Sequence, residues 1–192
     1  MNSQNKKNID LIKSINIIDE YPCDFRELIY KFLIENNLEK SKIIDFGCSL
    51  REYSLKISNA ALSYTTADIN LFDNIDIAFD LCNSEEIPKE LNGKFNHIVA
   101  LAIMEHVWQP FEAAKNLVKL LDKSQSSRIW IYAPFLFSYH APESLVFQDY
   151  FRYTKDAWPI LFPDAKKITI SPVRGRCTTS LNLLIPGYKK IY

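Results

Sequence analysis

Glycine is scarce where a nucleotide-binding loop would need it. The stretch IIDFGCSLREYS, Ile43 to Ser54, carries one glycine, Gly47, and the whole chain holds four. A pyrophosphate cofactor calls for G-x-G-x-x-G, and here the second and third glycine positions hold Ser49 and Glu52, which argues against NAD. No G-x-x-x-x-G-K-S/T occurs either, so the phosphate cradle of the P-loop enzymes is excluded. Net charge is also lacking: 23 Lys and Arg balance 23 Asp and Glu. The only cationic clusters are the pairs Lys6-Lys7, Lys166-Lys167 and Lys189-Lys190, so no stripe can track a phosphate backbone and no nucleic-acid partner is expected. Long apolar runs are absent. No segment approaches the roughly 20 residues of a membrane span or has the look of a signal peptide, so the expectation is a cytoplasmic protein without membrane insertion. Cys23, Cys48, Cys82 and Cys177 lie far apart, with no C-x-x-C pair and no His at ligand spacing. Neither a disulfide framework nor a metal site is expected.

The 192 residues of the chain, close to half of them apolar, suffice for one sizeable core and not for two ordinary domains. Residues 1–22 read as a polar, Asn-rich arm, 43–133 as the core of a single domain, and 134–192 as a segment lining its substrate side. Phe25, Leu28, Ile29, Phe32 and Leu33 recur at helical spacing, which predicts a helix from Cys23 to about Asn37. Five strands are predicted at KIIDF, LSYTTAD, DIAFD, FNHIVALA and SRIWIYAP. Between the last two, Phe111, Ala114, Leu117, Val118 and Leu121 form one helical face. Strands alternating with helices imply an α/β fold with a mostly parallel, doubly wound sheet. KKITISPV and TTSLNLLI, separated by RGRC, suggest a late antiparallel hairpin, and Thr154 reads as the N-cap of a short helix, KDAWPILF.

An open α/β sheet binds its ligand beyond the carboxyl ends of its strands, so the strand-end residues carry the functional reading. Gly47 suits a tight turn, because it takes positive φ readily and has no side chain to hold a ligand away. Asp68 follows it by about 20 residues, the distance at which an acid meets ribose hydroxyls in dinucleotide folds. Asp80 could accept from an exocyclic amino group of an adenine. Strand-end aspartates also commonly cap the next helix, and that alternative stands beside each of these readings.

The segments IIDFGCS, TTADIN, FDLCNSEEIP, FNHIVALAIMEHVWQPFEAAKNLVKLL and IWIYAPFLFSYHAPES…QDYFRYT together resemble the successive motifs of class I S-adenosylmethionine-dependent methyltransferases, over about Ile43 to Thr154. The later segments are similar to small bacterial methyltransferases of the type 11-like group. The resemblance implies a Rossmann-like fold and S-adenosyl-L-methionine as cofactor. It places Gly47, in the first loop, on the methionine part, Asp68 on the ribose and Asp80 with Leu81 facing the adenine; Asp45, Ser49, Arg51, Ile69 and Ala102 are further candidate cofactor-binding residues. Where the family commonly has G-x-G-x-G, this chain has Gly47-Cys48-Ser49-Leu50-Arg51. Arg51 could clamp the cofactor carboxylate in a bidentate fork, or mark a decayed loop on a protein that binds or scaffolds without catalysing.

Methyl transfer asks the protein mainly to align donor and acceptor, with a base where the acceptor must lose a proton. His106, after the fourth strand, and His140, in a loop overhanging the pocket, are the candidate bases. Tyr139, Asp149, Tyr150 and Arg152 are candidates for acceptor binding, the rings on an apolar or sugar face and Arg152 on an anionic group; an Asp149–Arg152 surface pair with core tyrosines is the alternative. His97, inside the fourth strand among apolar neighbours, reads as structural. The resulting expectation is methylation of oxygen or nitrogen on a small-molecule or carbohydrate acceptor.

Overall fold

The structure is a computed structural model. It describes residues 38–47, 52–141 and 147–173, with isolated positions before residue 38 that include Asn16, Ile17 and Leu33. Its centre is a five-stranded sheet. In chain order the strands are β2 (Lys42–Phe46), β3 (Ser63–Asp68), β4 (Ile77–Ala78), β5 (His97–Leu101) and β6 (Arg128–Tyr132). They lie side by side as β4-β3-β2-β5-β6, and every pairing is parallel. Ile44 stands opposite Thr65 on one side and Ile98 on the other. After β2 the chain proceeds outward through β3 and β4, and after β4 it returns to start on the opposite side of β2. The order therefore reverses between β2 and β5, the position at which open α/β sheets bind ligands.

Successive strand residues point to opposite faces, and both faces are covered. Ile44, Phe46, Ile98 and Ala100 join a core with Ala113, Ala114, Leu117 and Leu120 of helix α2 (Pro110–Leu120). Ile43 and Val99 turn the other way, onto Leu33, Leu38 and Ile57, the last on helix α1 (Glu52–Ala60). Two such faces, at about 25 cal/mol per Å² of buried apolar area, supply most of the drive for this fold. Among the described residues no helix is long and apolar enough to cross a membrane.

Three elements differ in detail from the sequence reading. The strand expected over DIAFD shrinks to Ile77–Ala78 because Asp76 acts as an edge cap. Its Oδ2 accepts the Thr66 backbone N–H at 2.8 Å and the Thr66 hydroxyl at 3.0 Å, taking the donor that a longer neighbouring strand would use. The short helix α3 (Ala157–Leu161) begins three residues beyond Thr154, and Thr154 contributes its carbonyl, which accepts the Ala157 N–H at 3.1 Å. Pro159 then falls in the first helical turn, where its missing N–H costs nothing. Of the two late strands, Thr169–Ile170 forms β7 and pairs in parallel with β1 (Asn16–Ile17), so part of the N-terminal arm enters a two-stranded sheet. The second arm of the expected hairpin falls in residues 174–192, outside the described residues. Most of the helix expected over 23–37 also lies outside them, although Leu33 is described and fully buried.

Candidate functional site

Gly47 ends β2 with φ +66°, and its N–H donates to Ala67 O at 2.9 Å. A Cβ at this position would lie 2.2 Å from Ile103 Cδ1. The loop after β2 is thus pressed against the loop after β5, at the reversal point of the sheet. Ala102, just beyond β5, is held at φ 58° and donates its N–H to Tyr132 O at 2.9 Å. For a residue with a Cβ, that left-handed conformation costs about 1–2 kcal/mol, and such strain collects at functional sites.

Asp45 is buried within β2, and its Oδ2 accepts the Tyr64 hydroxyl at 2.5 Å. Asp68 closes β3; its Oδ1 accepts the Asn70 N–H at 2.9 Å, and its carbonyl accepts the Phe79 N–H at 3.0 Å. That second bond, with Ala78 opposite Asp68, starts the Asp80 loop at the end of β3, Asp80 itself lying two residues beyond β4. Asp80 Oδ1 accepts the Cys82 N–H at 2.8 Å. In each of Asp68 and Asp80 one carboxylate oxygen fixes its own loop, and among the described residues no donor reaches the other. Ile69 is exposed and Leu81 buried, with the Leu81 carbonyl accepting from the Asn116 side chain at 2.9 Å. Ser49 and Arg51 lie outside the described residues.

Beyond Ala102 the chain makes a single turn, Met104–His106, which turns Glu105 inward. The segment Tyr150–Tyr153 docks on this turn: Tyr150 and Phe151 donate their N–H groups to Glu105 O at 2.8 and 3.1 Å, and the Tyr153 hydroxyl donates to Met104 O at 2.7 Å. Burial raises the Tyr153 phenol well above its ordinary value. Arg152 points inward. Its guanidinium forms a two-pronged pair with Asp149 and also donates to the carbonyls of Phe137 at 3.2 Å and Ser138 at 3.1 Å. Chiefly through the Arg152 hydrogen bonds, the Asp149 carboxyl is held down at about 2. Asp149 Oδ2 also accepts the His140 backbone N–H at 3.0 Å, which brings the His140 loop onto the turn.

The outcome is a compact group. His106 and His140 rings lie edge to face with centroids 4.9 Å apart, flanked by Phe147 at 4.6 Å from His106 and Phe137 at 5.1 Å from His140. Burial lowers the His106 imidazole from its ordinary value. Glu105, which the sequence reading passed over, is fully buried, and neither carboxylate oxygen has a hydrogen-bond partner. Burial pushes its carboxyl up to about 7, the Asp149 charge adds to that, and Arg152 opposes it. The one signal for it in the sequence is an acid standing among apolar residues in AIMEHV. Tyr139 and Tyr150 remain exposed at the rim, the Tyr139 hydroxyl donating to Gln148 Oε1 at 2.9 Å. His97 lies apart, buried in β5, where its Nδ1 accepts the Trp130 indole N–H at 3.0 Å.

No family model matches the chain, and no curated protein does. Solved structures do. The YcgJ protein from Bacillus subtilis superposes with a TM-score of 0.53 at 13% identity, covering 72% of this chain and 66% of that one. The MccD protein gives 0.51 at 13% identity, covering 72% and 69%. The trans-methyltransferase CalH, in complex with SAH, gives 0.42 at 17% identity over 55% of this chain. This chain spans 35% of the length of CalH and 66% of that of YcgJ. With its all-parallel sheet reversing between β2 and β5, the chain has the Rossmann-like α/β fold that it shares with YcgJ and MccD.

Proposed function

We propose that the protein is an S-adenosyl-L-methionine-dependent methyltransferase acting on oxygen or nitrogen of a small-molecule or carbohydrate acceptor. The observation that carries this reading is the arrangement at the reversal point: a glycine turn at positive φ beneath Ile103, with Asp68 ending β3 and Asp80 two residues beyond β4, each keeping one carboxylate oxygen for a ligand. A vicinal ribose diol and an adenine amino group supply donors, and the two acids supply acceptors. The cofactor would lie along Gly47, Asp68, Ile69, Asp80, Leu81 and Ala102, with Ser49 and Arg51 on its methionine end and Asp45 supporting the strand beneath. When bound it supplies an already activated methyl group.

The acceptor side belongs to the cluster on the Met104–His106 turn. His106 Nδ1 faces Gln148 O at 2.8 Å, and a carbonyl only accepts, so in the neutral ring Nε2 carries the lone pair. That nitrogen can take a proton from an acceptor hydroxyl or amine. The exposed Tyr139 and Tyr150 offer ring faces to an apolar or sugar acceptor. Arg152 and Asp149 hold the two acceptor-side loops together, because the guanidinium is engaged with the Asp149 carboxylate and the carbonyls of Phe137, Ser138 and Phe151.

Calorimetric titration tests the reading: S-adenosylhomocysteine is expected to bind with one-to-one stoichiometry and NAD not to bind. Absence of S-adenosylhomocysteine binding would overturn it.

A further inference from the structure

Three lone-pair donors converge behind the Met104–His106 turn. Glu105 Oε1 lies 3.9 Å from His106 Nε2 and 3.7 Å from His140 Nε2, and the ligand atoms of all three residues fall within 4.8 Å of one another. Both imidazoles are fixed from behind. His106 Nδ1 faces the Gln148 carbonyl at 2.8 Å, and His140 Nδ1 faces Asp149 Oδ2 at 2.9 Å and the Ser138 carbonyl at 3.2 Å. Those partners only accept, so each Nδ1 bears the hydrogen and each Nε2 presents its lone pair. The Glu105 carboxylate is fully buried and has no hydrogen-bond donor. Acceptors therefore face acceptors around a buried carboxyl, an arrangement relieved either by a proton on the carboxyl or by a cation held among the three groups.

A proton shared between the carboxyl and an imidazole does not fit this spacing, because 3.7–3.9 Å exceeds hydrogen-bond length. A metal ion does. Ligand atoms bound at ~2.0–2.1 Å in a tetrahedron stand about 3.4 Å apart, so the three side chains need move only a few tenths of an ångström for the two closer pairs. The backing of His140 by a carboxylate and of His106 by a carbonyl is the arrangement that orients ligating histidines and raises their basicity.

We infer that Glu105, His106 and His140 bind a first-row divalent cation of the zinc class. Two imidazoles and one carboxylate select zinc, cobalt or iron over magnesium and calcium, which prefer all-oxygen surroundings. Three protein ligands leave a coordination position for water or for an acceptor oxygen; with the ion bound, the His106 Nε2 lone pair is engaged on it, and lowering the acceptor's pKa by coordination replaces the base role proposed for that nitrogen in the metal-free site. The acceptor role rests on the methyltransferase reading; metal binding itself does not. Spacing along the chain does not reveal such a site, since His140 lies 34 residues beyond His106 and only the docking of Asp149 and Tyr150 on the turn brings it in.

The test uses the untagged full chain, stripped with a chelator and titrated without S-adenosylhomocysteine. Zn2+, read by competition with a chromophoric chelator, is expected to bind one-to-one at micromolar concentration or tighter, and Mg2+ at least 100-fold more weakly. Co2+ should give the visible absorption of a site with nitrogen and oxygen ligands. Glu105→Gln and His140→Ala are each expected to weaken Zn2+ at least tenfold. Glu105→Gln should also raise the thermal midpoint of the stripped protein, because it removes a buried charge without a donor; a purely structural Glu105 would give no loss of metal. Asp149→Asn should weaken Zn2+ less than loss of a ligand does. Absence of Zn2+ binding, or Zn2+ binding indifferent to both Glu105→Gln and His140→Ala, overturns the inference. S-adenosylhomocysteine titrated into the same stripped protein separates the two readings: binding there without Zn2+ binding sinks the metal alone, and Zn2+ binding without it sinks the methyltransferase reading alone.

Discussion

Ile103 lies directly over Gly47, so close that a Cβ on the glycine would stand 2.2 Å from Ile103 Cδ1. Two independent constraints therefore hold this position to glycine, the positive φ and the overlying side chain. Gly47→Ala is expected to destabilise the protein by about 1–3 kcal/mol, the left-handed conformation and the contact both contributing. Ile103→Ala in the same chain should recover the contact part and leave the conformational part. Urea unfolding of the two single variants and the double variant checks this; strictly additive effects would show that the contact does not matter.

Asp68 keeps one oxygen on the Asn70 N–H and the other without a donor among the described residues. If that oxygen holds the cofactor ribose, Asp68→Ala should weaken S-adenosylhomocysteine by about 1.5–3 kcal/mol, the scale of hydrogen bonds to a charged group. Asp68→Asn should lose less, because the amide oxygen can still accept. Unchanged affinity in the alanine variant, measured calorimetrically, would remove the ribose assignment.

The strands were legible from the sequence because each is a short run of β-branched and aromatic residues bounded by polar turns, and their alternation with helices implied the parallel order. The positions of Gly47 and Asp68 at the ends of β2 and β3 could be read for the same reason, since strand ends are local features. What could not be read was whatever depends on side chains meeting across distance. Asp76 shortened a strand through a bond to Thr66 ten residues earlier. Glu105 looked like one more residue in an apolar stretch until Tyr150 and Phe151 closed over it. Arg152 read either as an anion-binding cation or as the partner of Asp149 in a surface pair; the pair forms, but its inward turn onto the Phe137 and Ser138 carbonyls is visible only once the loop has folded.

That fork makes a prediction of its own. Arg152 joins Asp149 to the carbonyls of Phe137 and Ser138, a planar geometry that lysine does not reproduce. Arg152→Lys should therefore loosen both loops while sparing the sheet. Hydrogen exchange is expected to quicken at the Tyr150 and Phe151 amides, which bond Glu105 O, and to stay unchanged at Ile98 and Val99 in β5. Uniform quickening across the chain would mean that the pair supports the whole fold instead.

His97 supplies the pH dependence. It is buried in β5 with Nδ1 accepting from the Trp130 indole, and burial, with the Arg128 charge adding to it, holds its imidazole down at about 4, below the ordinary 6.5. The folded-state value is the lower one, so as pH falls the unfolded chain takes the proton first. The stability that comes from keeping His97 neutral is complete above about 6.5 and is lost as pH falls through 6.5 towards 4. The loss reaches at most about 3 kcal/mol, at 1.36 kcal/mol for each unit of difference. Protonation would also set an N–H against the Trp130 N–H. His97→Gln keeps an acceptor for Trp130 and cannot titrate, so its stability should start lower at pH 7.5 and decline less towards pH 4.5. Urea midpoints of both proteins across that range decide the matter: converging curves are expected, whereas parallel curves would place the acid sensitivity in some other group.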